Sequence, residues 1–358
     1  MKRIKFKIPI TTFLMFFIFF VSPASTCTIF SLYPNNQHWI GRTFDWTYGH
    51  GLVFTNKRHV AKKGLRLLPT DISANWVSKF GSVTFNQFGK EFPTGGINEA
   101  GLVVEALELK SSIFPESDNR NSFNELQFIQ YLLDSFDNVE NISSAMKNIR
   151  LSPVGSKLHY FVCDVKKCMT IEFIDGELVT HLNDNLSISS LSNHTYDELV
   201  TYSQDFVTFG GEKEIDMISK ESKDRFVRAS YNAKFISQYP DQLSTLFTFL
   251  ADVGTQNNRW QIIYNQDEKT INFRTTSKIL LQRKIDLSSI DFSCLRPSQY
   301  FDLDSDLEGS INSVFKSFDS NFNYLIIQKS VMMQKLPLPI AARLALYPSE
   351  TACTEDLL

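Results

Sequence analysis

Short apolar runs recur along most of the chain, and they predict a protein rich in strands. The runs favour β-branched and aromatic residues and are separated by Gly, Pro and Asn, which favour turns. The first hundred or so residues contain predicted strands at 27–32, 38–40, 52–55, 82–85 and 101–107. Later runs of the same kind predict strands at 158–164, 169–174, 187–192, 260–264 and 270–275.

Helical spacing of apolar residues predicts a smaller number of helices. Ser122 and Glu125 form a capping-box pattern that predicts a helix over 122–148. Further helices are predicted over 220–238 and 241–252, and helical character near 307–318 and 339–346. Because strands and helices come in groups rather than in alternation, the pattern predicts an α+β layered fold.

Residues 1–26 have the pattern of a signal peptide. Basic residues precede an apolar stretch from Ile8 to Val21, and a small polar segment follows it. The stretch is shorter than the roughly 20 residues of a membrane span, and no second one appears. We therefore expect an exported protein, periplasmic or extracellular, without a stable membrane span. Cleavage fits after Ala24 or after Thr26, and the second site exposes Cys27 directly.

Charge and cysteine content narrow the possibilities further. The remaining chain, 27–358, is expected to form one domain with a substantial core. The net charge is −3 and no basic block occurs after the leader, so nucleic acid is not expected as a partner. We also expect no cofactor and no metal.

Four cysteines remain when Cys27 is set aside, an even number for an oxidising compartment. A predicted hairpin would bring Cys163 close to Cys168. Whether these two are bridged, and whether Cys294 is bridged to Cys353, stays open at this point.

Cys27 becomes the first residue of the mature chain if the leader is cut after Thr26. It then carries a thiol nucleophile and a free α-amine on one residue, which is a minimal covalent catalyst. A thiol with a pKa of about 8.5 is mostly protonated at neutral pH, and an α-amine with a pKa of about 8 can take its proton. The alternative is a lipoprotein that is acylated on Cys27, although Ala24 and Thr26 match that signal poorly.

A set of short segments resembles one enzyme family. Cys27 is followed by Gly-Arg-Thr-Phe-Asp-Trp at 41–46, and together they resemble the choloylglycine hydrolase and penicillin V acylase family of N-terminal-nucleophile amidases. Segment 96–102 is similar to that family's Asn-Glu-x-Gly-Leu segment. Segments 192–196 and 224–228 are similar to its Asn segment and to its Arg-Phe-x-Arg helix. The segments occur in the family's order along most of the mature chain.

The resemblance implies a four-layer αββα sandwich and the hydrolysis of a non-peptide C–N amide bond through a thioester acyl-enzyme. It also implies a homo-oligomer, a tetramer in this family, and a small amide substrate with an apolar acyl group. The candidate catalytic residues are Cys27, Arg42, Asp45, Asn193 and Arg225.

Each candidate has an expected role. Arg42 would favour the thiolate by its charge, and Asp45 would orient the α-ammonium. Asn193 would donate to the oxyanion, where one donor contributes on the order of 3 kcal/mol. Arg225 would steady Asp45 or the surroundings of the cysteine, with Arg228 as the alternative.

Glu108 departs from the family pattern. Ten residues past Asn98, bile-salt hydrolases have Asn and penicillin V acylases have Tyr. A carboxylate is a poor oxyanion donor unless it is protonated, so we expect Glu108 to bind substrate and to disfavour anionic ones. The other possibility is that Glu108 points away and pairs with a Lys or Arg.

Three functions stay open. The first is hydrolysis of bile-salt conjugates, penicillin V or N-acyl amides, and the second is an N-acyl homoserine lactone or lipid-amide acylase with the same mechanism. The third is a lipid-anchored binding protein without catalysis.

Overall fold

Two large β-sheets form the centre of the computed structural model, which describes residues 26–355. The strands in chain order are β1 (Thr28–Leu32), β2 (Trp39–Asp45), β3 (Leu52–Asn56), β4 (Val60–Lys63), β5 (Asn75–Val77), β6 (Ser82–Asn86), β7 (Gly95–Asn98), β8 (Val103–Glu108), β9 (Asn121–Phe123), β10 (Ile149–Leu151), β11 (Leu158–Cys163), β12 (Cys168–Ile174), β13 (Glu177–Leu182), β14 (Ser190–Leu191), β15 (Asn258–Asn265), β16 (Thr270–Thr275), β17 (Arg283–Asp286), β18 (Gln299–Asp302), β19 (Gly309–Ser310), β20 (Lys316–Ser317) and β21 (Ala352–Cys353). The α-helices are α1 (Gln127–Ser135), α2 (Val139–Ala145), α3 (Tyr196–Ser203), α4 (Ser222–Phe235), α5 (Gln242–Val253), α6 (Ser320–Met333) and α7 (Leu338–Leu346).

Each large sheet has its own strand order within the described residues. The first sheet has seven strands in the order β14-β1-β2-β15-β16-β17-β19. The second has nine strands in the order β13-β12-β11-β8-β7-β6-β3-β18-β20. Smaller sheets join β21, β4 and β5, and β10 with β9. As a result β2, which carries Arg42 and Asp45, and β8, which carries Glu108, lie inside their sheets rather than at an edge.

The layers follow from the alternation of side chains along the strands. Successive residues of a strand face opposite sides of its sheet. In β1, Ile29 packs in the apolar cluster between the two sheets, while Phe30 packs against α4 and α5. In β8, Val103 faces the same intersheet cluster, while Val104 packs with α1 and α2. Helices therefore cover the outer face of each sheet, and the predicted α+β, four-layer αββα sandwich is confirmed.

The helix predicted over 122–148 is wrong as a single element. Ser122 lies in β9, and its hydroxyl bonds the backbone of Ile72 rather than capping a helix. The side chain of Asn124 instead accepts hydrogen bonds from the first N–H groups of the helical segment. Glu125 binds the backbone of the 154–156 loop. The helical apolar spacing is real, but it belongs to two shorter helices, α1 and α2.

The last part of the chain was the least predictable. The prediction of helical character near 307–318 is wrong, because this segment contains β19, a short 3₁₀ turn and β20. The helix near 339–346 is confirmed by α7. Helix α6 was missed, because apolar residues occur on all its sides and give no helical stripe. The other predicted helices and strands are present, with β2 longer and β14 shorter than expected.

Both disulfides that the sequence left undecided are present. Cys163 is bridged to Cys168 across the β11–β12 hairpin, and Cys294 is bridged to Cys353. The second bridge encloses α6 and α7.

The leader predicted over 1–26 lies outside the described residues except for Thr26. One domain over 27–358 stays a prediction. Over residues 26–355, the structure has no helix that is both long and apolar enough to cross a bilayer.

Candidate active site

Cys27 lies directly before β1 and is buried in the cluster between the sheets, with 2% of its surface exposed. Among residues 26–355 it is the cysteine that forms no disulfide. Burial raises the pKa of its thiol to about 11, while the positive charge of Arg42 acts in the opposite direction. The thiol is therefore protonated at neutral pH, and it needs a nearby base to become a nucleophile.

The β1–β2 hairpin brings Asp45 to Cys27. The two strands are antiparallel, and their register pairs Thr28 with Thr43. The end of β2 therefore passes beside Cys27, whose Sγ lies 3.9 Å from the backbone oxygen of Asp45. The register of two strands fixes which of their residues meet. It therefore brings Cys27 into contact with Asp45 of the 41–46 motif, although the two are far apart in sequence.

The guanidinium of Arg42 is buried and is held by the second sheet. Its Nη1 lies 2.9 Å from Oε2 of Glu105, and its Nη2 donates to the carbonyl of Ala106 at 2.9 Å. Both partners belong to β8, which faces β2 across the intersheet layer. These contacts offset the cost of burying a positive charge next to Cys27.

Glu105 is a site residue that the sequence reasoning missed. Its Oε1 accepts a hydrogen bond of 2.5 Å from the Tyr264 hydroxyl. Burial raises the pKa of Glu105 to about 7, although Arg42 and Tyr264 both act to lower it. A Cβ at Gly95 would overlap the Glu105 carboxyl, so a larger residue there would displace this carboxyl. The signal in the sequence was a single charge inside the apolar run 102–107.

Asp45 and the N-terminal side of Cys27 meet at Thr255, which was also missed. Oδ1 of Asp45 accepts hydrogen bonds from the backbone N–H and the hydroxyl of Thr255, each at 2.7 Å. The hydroxyl of Thr26, the residue before Cys27, lies 3.3 Å from that same threonine hydroxyl. The nitrogen of Cys27 therefore lies on the side of the site where a buried carboxylate is held in a fixed orientation.

Arg225, rather than Arg228, is the arginine of α4 that reaches Cys27. Its Nη1 donates to the carbonyl oxygen of Cys27 at 2.9 Å and also contacts the Thr28 hydroxyl. Its Nη2 donates to Oδ1 of Asn193 at 3.0 Å. Arg228 donates instead to backbone carbonyls of 216 and 219. Arg225 therefore fixes the backbone of the cysteine and the amide of Asn193 at once.

Asn193 and Glu108 meet beside the site. The Asn193 Nδ2 donates to the backbone carbonyl of Glu108 at 2.8 Å, and its backbone N–H donates to the Ser222 hydroxyl. Arg225 on the amide oxygen orients the side chain so that its NH₂ group faces Glu108. Glu108 ends β8 and is half-buried. The structure thus brings the predicted residues together, while their catalytic roles stay predictions.

An apolar cavity opens beside Cys27. Cys27, Arg42 and Glu108 belong to its lining, which is otherwise mostly hydrocarbon. The apolar lining residues are Phe44, Trp46, Leu67, Phe88, Phe92, Ala106, Leu126, Val154, Leu158, Leu336, Ile340 and Leu344. Glu108 is in this lining, and its role in binding substrate stays a prediction. Apolar cavities of this kind bind apolar groups of small molecules.

The groups that could hold a metal offer no open ligand set within residues 26–355. His38 lies near Cys163 and Cys168, and Glu355 lies near Cys294 and Cys353. Both cysteine pairs are disulfides, so their sulfurs are not thiolate ligands.

Comparison with known families decides the relationship. Residues 27–285 match the linear amide C-N hydrolases, choloylglycine hydrolase family. The chain belongs to this family. A penicillin V acylase from Pectobacterium atrosepticum is 29% identical over 182 residues, which cover 46% of this chain and 48% of that protein. The chain thus spans about half the length of the curated relative that it matches.

Solved structures agree with the fold of the family. The penicillin V acylase from Agrobacterium tumefaciens matches with a TM-score of 0.72 at 25% identity, over 82% of this chain and 98% of that one. A mutant conjugated bile acid hydrolase from Clostridium perfringens matches with a TM-score of 0.64 at 16% identity, over 80% and 99% of the two chains. The second likeness is a likeness of fold.

Proposed function

We propose that this protein is an exported amidase that uses Cys27 as an N-terminal nucleophile to hydrolyse a non-peptide C–N amide bond. The observation that carries the proposal is the contact of one buried, unbridged cysteine with Asp45 and Arg225, at the wall of an apolar cavity. Membership of the choloylglycine hydrolase family supports the same reaction.

The proposed reaction starts when the residues before Cys27 are removed. The freed α-amine takes the proton of Sγ, and the thiolate attacks the carbonyl carbon of the amide. Asp45 stabilises the resulting α-ammonium, while Arg42 adds positive charge near the sulfur. Because burial raises the pKa of the thiol to about 11, the thiolate forms only when a base receives its proton.

The reaction then has two stages, acylation of Cys27 and hydrolysis of the thioester, and the attack of the thiolate gives a tetrahedral intermediate. Its oxyanion accepts a hydrogen bond from the Asn193 amide, which Arg225 holds in orientation. The C–N bond breaks, the α-ammonium returns its proton to the leaving amine, and a thioester to Cys27 remains. A water molecule deprotonated by the α-amine attacks this thioester, the C–S bond breaks, and the acid and the thiol are restored.

Neutral amides with an apolar acyl group are the proposed substrates. Most of the cavity lining is hydrocarbon, which favours an apolar acyl group, and Glu108 adds a carboxylate to the same lining as Cys27. Conjugated bile salts and penicillin V are anionic and would be repelled by this carboxylate. This favours the second candidate function, an acylase for N-acyl lactones or lipid amides, which shares the mechanism and differs in its substrate.

The burial of Cys27 favours an enzyme over a lipid-anchored binding protein. The intersheet cluster encloses the sulfur of Cys27, so a cysteine that carried a diacylglycerol would have to leave this cluster.

Export through the leader over 1–26 and assembly into a homo-tetramer remain part of the proposal.

Processing gives the test of the proposed function. We would prepare one chain that begins at Cys27 and one in which an unremoved Met precedes it, and verify both N-termini by mass spectrometry. Both chains are assayed with bile salts, penicillin V, acyl homoserine lactones and neutral acyl amides, and the neutral amides should be hydrolysed by the first chain only. Equal turnover by the chain that keeps its Met would contradict the proposal, because a peptide nitrogen cannot act as the base.

A further inference from the structure

One wall of the cavity comes from the end of the chain. Leu336, Ile340 and Leu344 line the same cavity as Cys27, and they belong to α7 and to the turn before it. The segment that matches the family ends at residue 285. Helix α7 and the turn before it therefore add to the cavity from outside the part of the chain that identifies the family.

Helix α6 is attached to the loops around the cavity by polar contacts. The hydroxyl of Ser330 donates to the carbonyl of Gln87 at 2.6 Å, and Nε2 of His50 lies 2.9 Å from the same hydroxyl. Oδ1 of Asn323 accepts from the backbone N–H of Lys90 at 2.9 Å. Two of these partners, Gln87 and Lys90, flank Phe88, which lines the cavity.

Helix α7 is attached mainly by apolar packing. Ala341, Leu344 and Tyr347 form a buried cluster with Phe92 and with residues of α6. Leu344 belongs both to this cluster and to the cavity lining, whereas Leu346 on the same helix is 62% exposed. The Cys294–Cys353 disulfide closes the segment that contains both helices. Helix α7 thus forms part of the cavity wall, and α6 packs against it from behind.

We propose that Leu336, Ile340 and Leu344 form part of the acyl-binding site and limit the length of the aliphatic acyl chain that it accepts. This inference rests on the proposed function, because it assigns the cavity to the acyl part of the amide. The three side chains are entirely hydrocarbon, so they gain free energy by removing an alkyl chain from water but offer nothing to a charged amine.

The test compares acyl chains of increasing length on one neutral amine, from hexanoyl to dodecanoyl. Ile340→Trp fills the cavity and should lower kcat/KM for dodecanoyl relative to hexanoyl amide on the order of tenfold, since one methylene that fits or fails to fit changes specificity by about that factor or more. Leu344→Ala enlarges the cavity and should shift the preference toward longer chains. Leu346→Ala, the matched control, should keep the wild-type ratio.

The inference is overturned if Ile340→Trp and Leu344→Ala both keep the wild-type ratio while circular dichroism shows them folded. Ile340→Trp alters a half-buried position, so it decides the matter if Leu344→Ala fails to fold.

A binding measurement tests the acyl site without requiring that the protein hydrolyse an amide. A fluorescent, neutral N-acyl amide with a long acyl chain is titrated into folded Cys27→Ala, alone and combined with Ile340→Trp or Leu346→Ala. Binding that is weakened by Ile340→Trp and kept by Leu346→Ala supports the acyl site even if no amide is hydrolysed, in which case only the proposed function fails. Binding that is the same in all three proteins overturns the acyl site.

Discussion

At the scale of single residues, the charge state of Glu105 decides how far the positive charge of Arg42 is balanced beside Cys27. Burial raises the pKa of Glu105 to about 7 from an ordinary value of 4.5. Between these two values the folded state holds more protons than the unfolded state, so the free energy of unfolding falls as the pH rises. Arg42 and the Tyr264 hydroxyl are the groups that bind this carboxyl.

Glu105→Gln should remove that pH dependence. From pH 4.5 to 7, we expect the free energy of unfolding of the wild type to fall relative to that of Glu105→Gln by on the order of 3 kcal/mol. Urea unfolding at several pH values measures this, with Glu116→Gln as a control at an exposed carboxyl. Parallel curves for the wild type and Glu105→Gln would contradict the assigned titration.

Glu108→Asn should change specificity rather than fold. Like charges about 4 Å apart repel by about 1–4 kcal/mol in high to intermediate dielectric. The substitution should therefore raise kcat/KM for an anionic amide relative to a neutral one by roughly tenfold. Glu177→Asn, at an exposed position, serves as the control. If the ratio of the two kcat/KM values is the same as in the wild type, Glu108 does not determine this specificity.

The residues around Cys27 were predictable to the extent that they lie in local motifs. Arg42 and Asp45 belong to one short motif, and the resemblance to the family supplied Asn193 and Arg225. Glu105 could not be assigned in the same way, because its partner lies on the other sheet. Only the packing of β8 against β2 makes the two charges meet.

At the scale of elements, hydrophobic spacing predicted strands and amphipathic helices well but boundaries poorly. The capping-box pattern at Ser122 competed with a better side chain at Asn124, whose oxygen binds two backbone N–H groups. Helix α6 gave no signal because its position between α7 and the cavity loops, not its own pattern, determines which face is buried.

The two disulfides should contribute unequally to stability. The residues of the Cys294–Cys353 bridge are 59 apart in sequence, and those of the Cys163–Cys168 bridge are 5 apart. In the chain-entropy model, removing the first should cost about 4 kcal/mol and removing the second about 2 kcal/mol. Urea unfolding of the two double Cys→Ser variants measures the difference. Equal losses would mean that the long bridge does not restrain the unfolded segment of α6 and α7.

At the scale of the whole molecule, the grouping of strands and helices predicted the α+β class, and the resemblance to the family supplied the four layers. The order of strands within each sheet was not predictable, because neighbours such as β2 and β15 are more than 200 residues apart. That order creates the site, since it places Thr255 beside Asp45 and β8 opposite β2.

Capture of the acyl-enzyme tests whether Cys27 is the nucleophile. The chain that begins at Cys27 is mixed with a neutral N-acyl amide, quenched in acid within the first turnovers, and analysed by peptide mass spectrometry. We expect the mass of the acyl group on the Cys27 peptide, and neither adduct nor turnover in folded Cys27→Ala. Turnover that persists in Cys27→Ala would exclude Cys27 as the nucleophile.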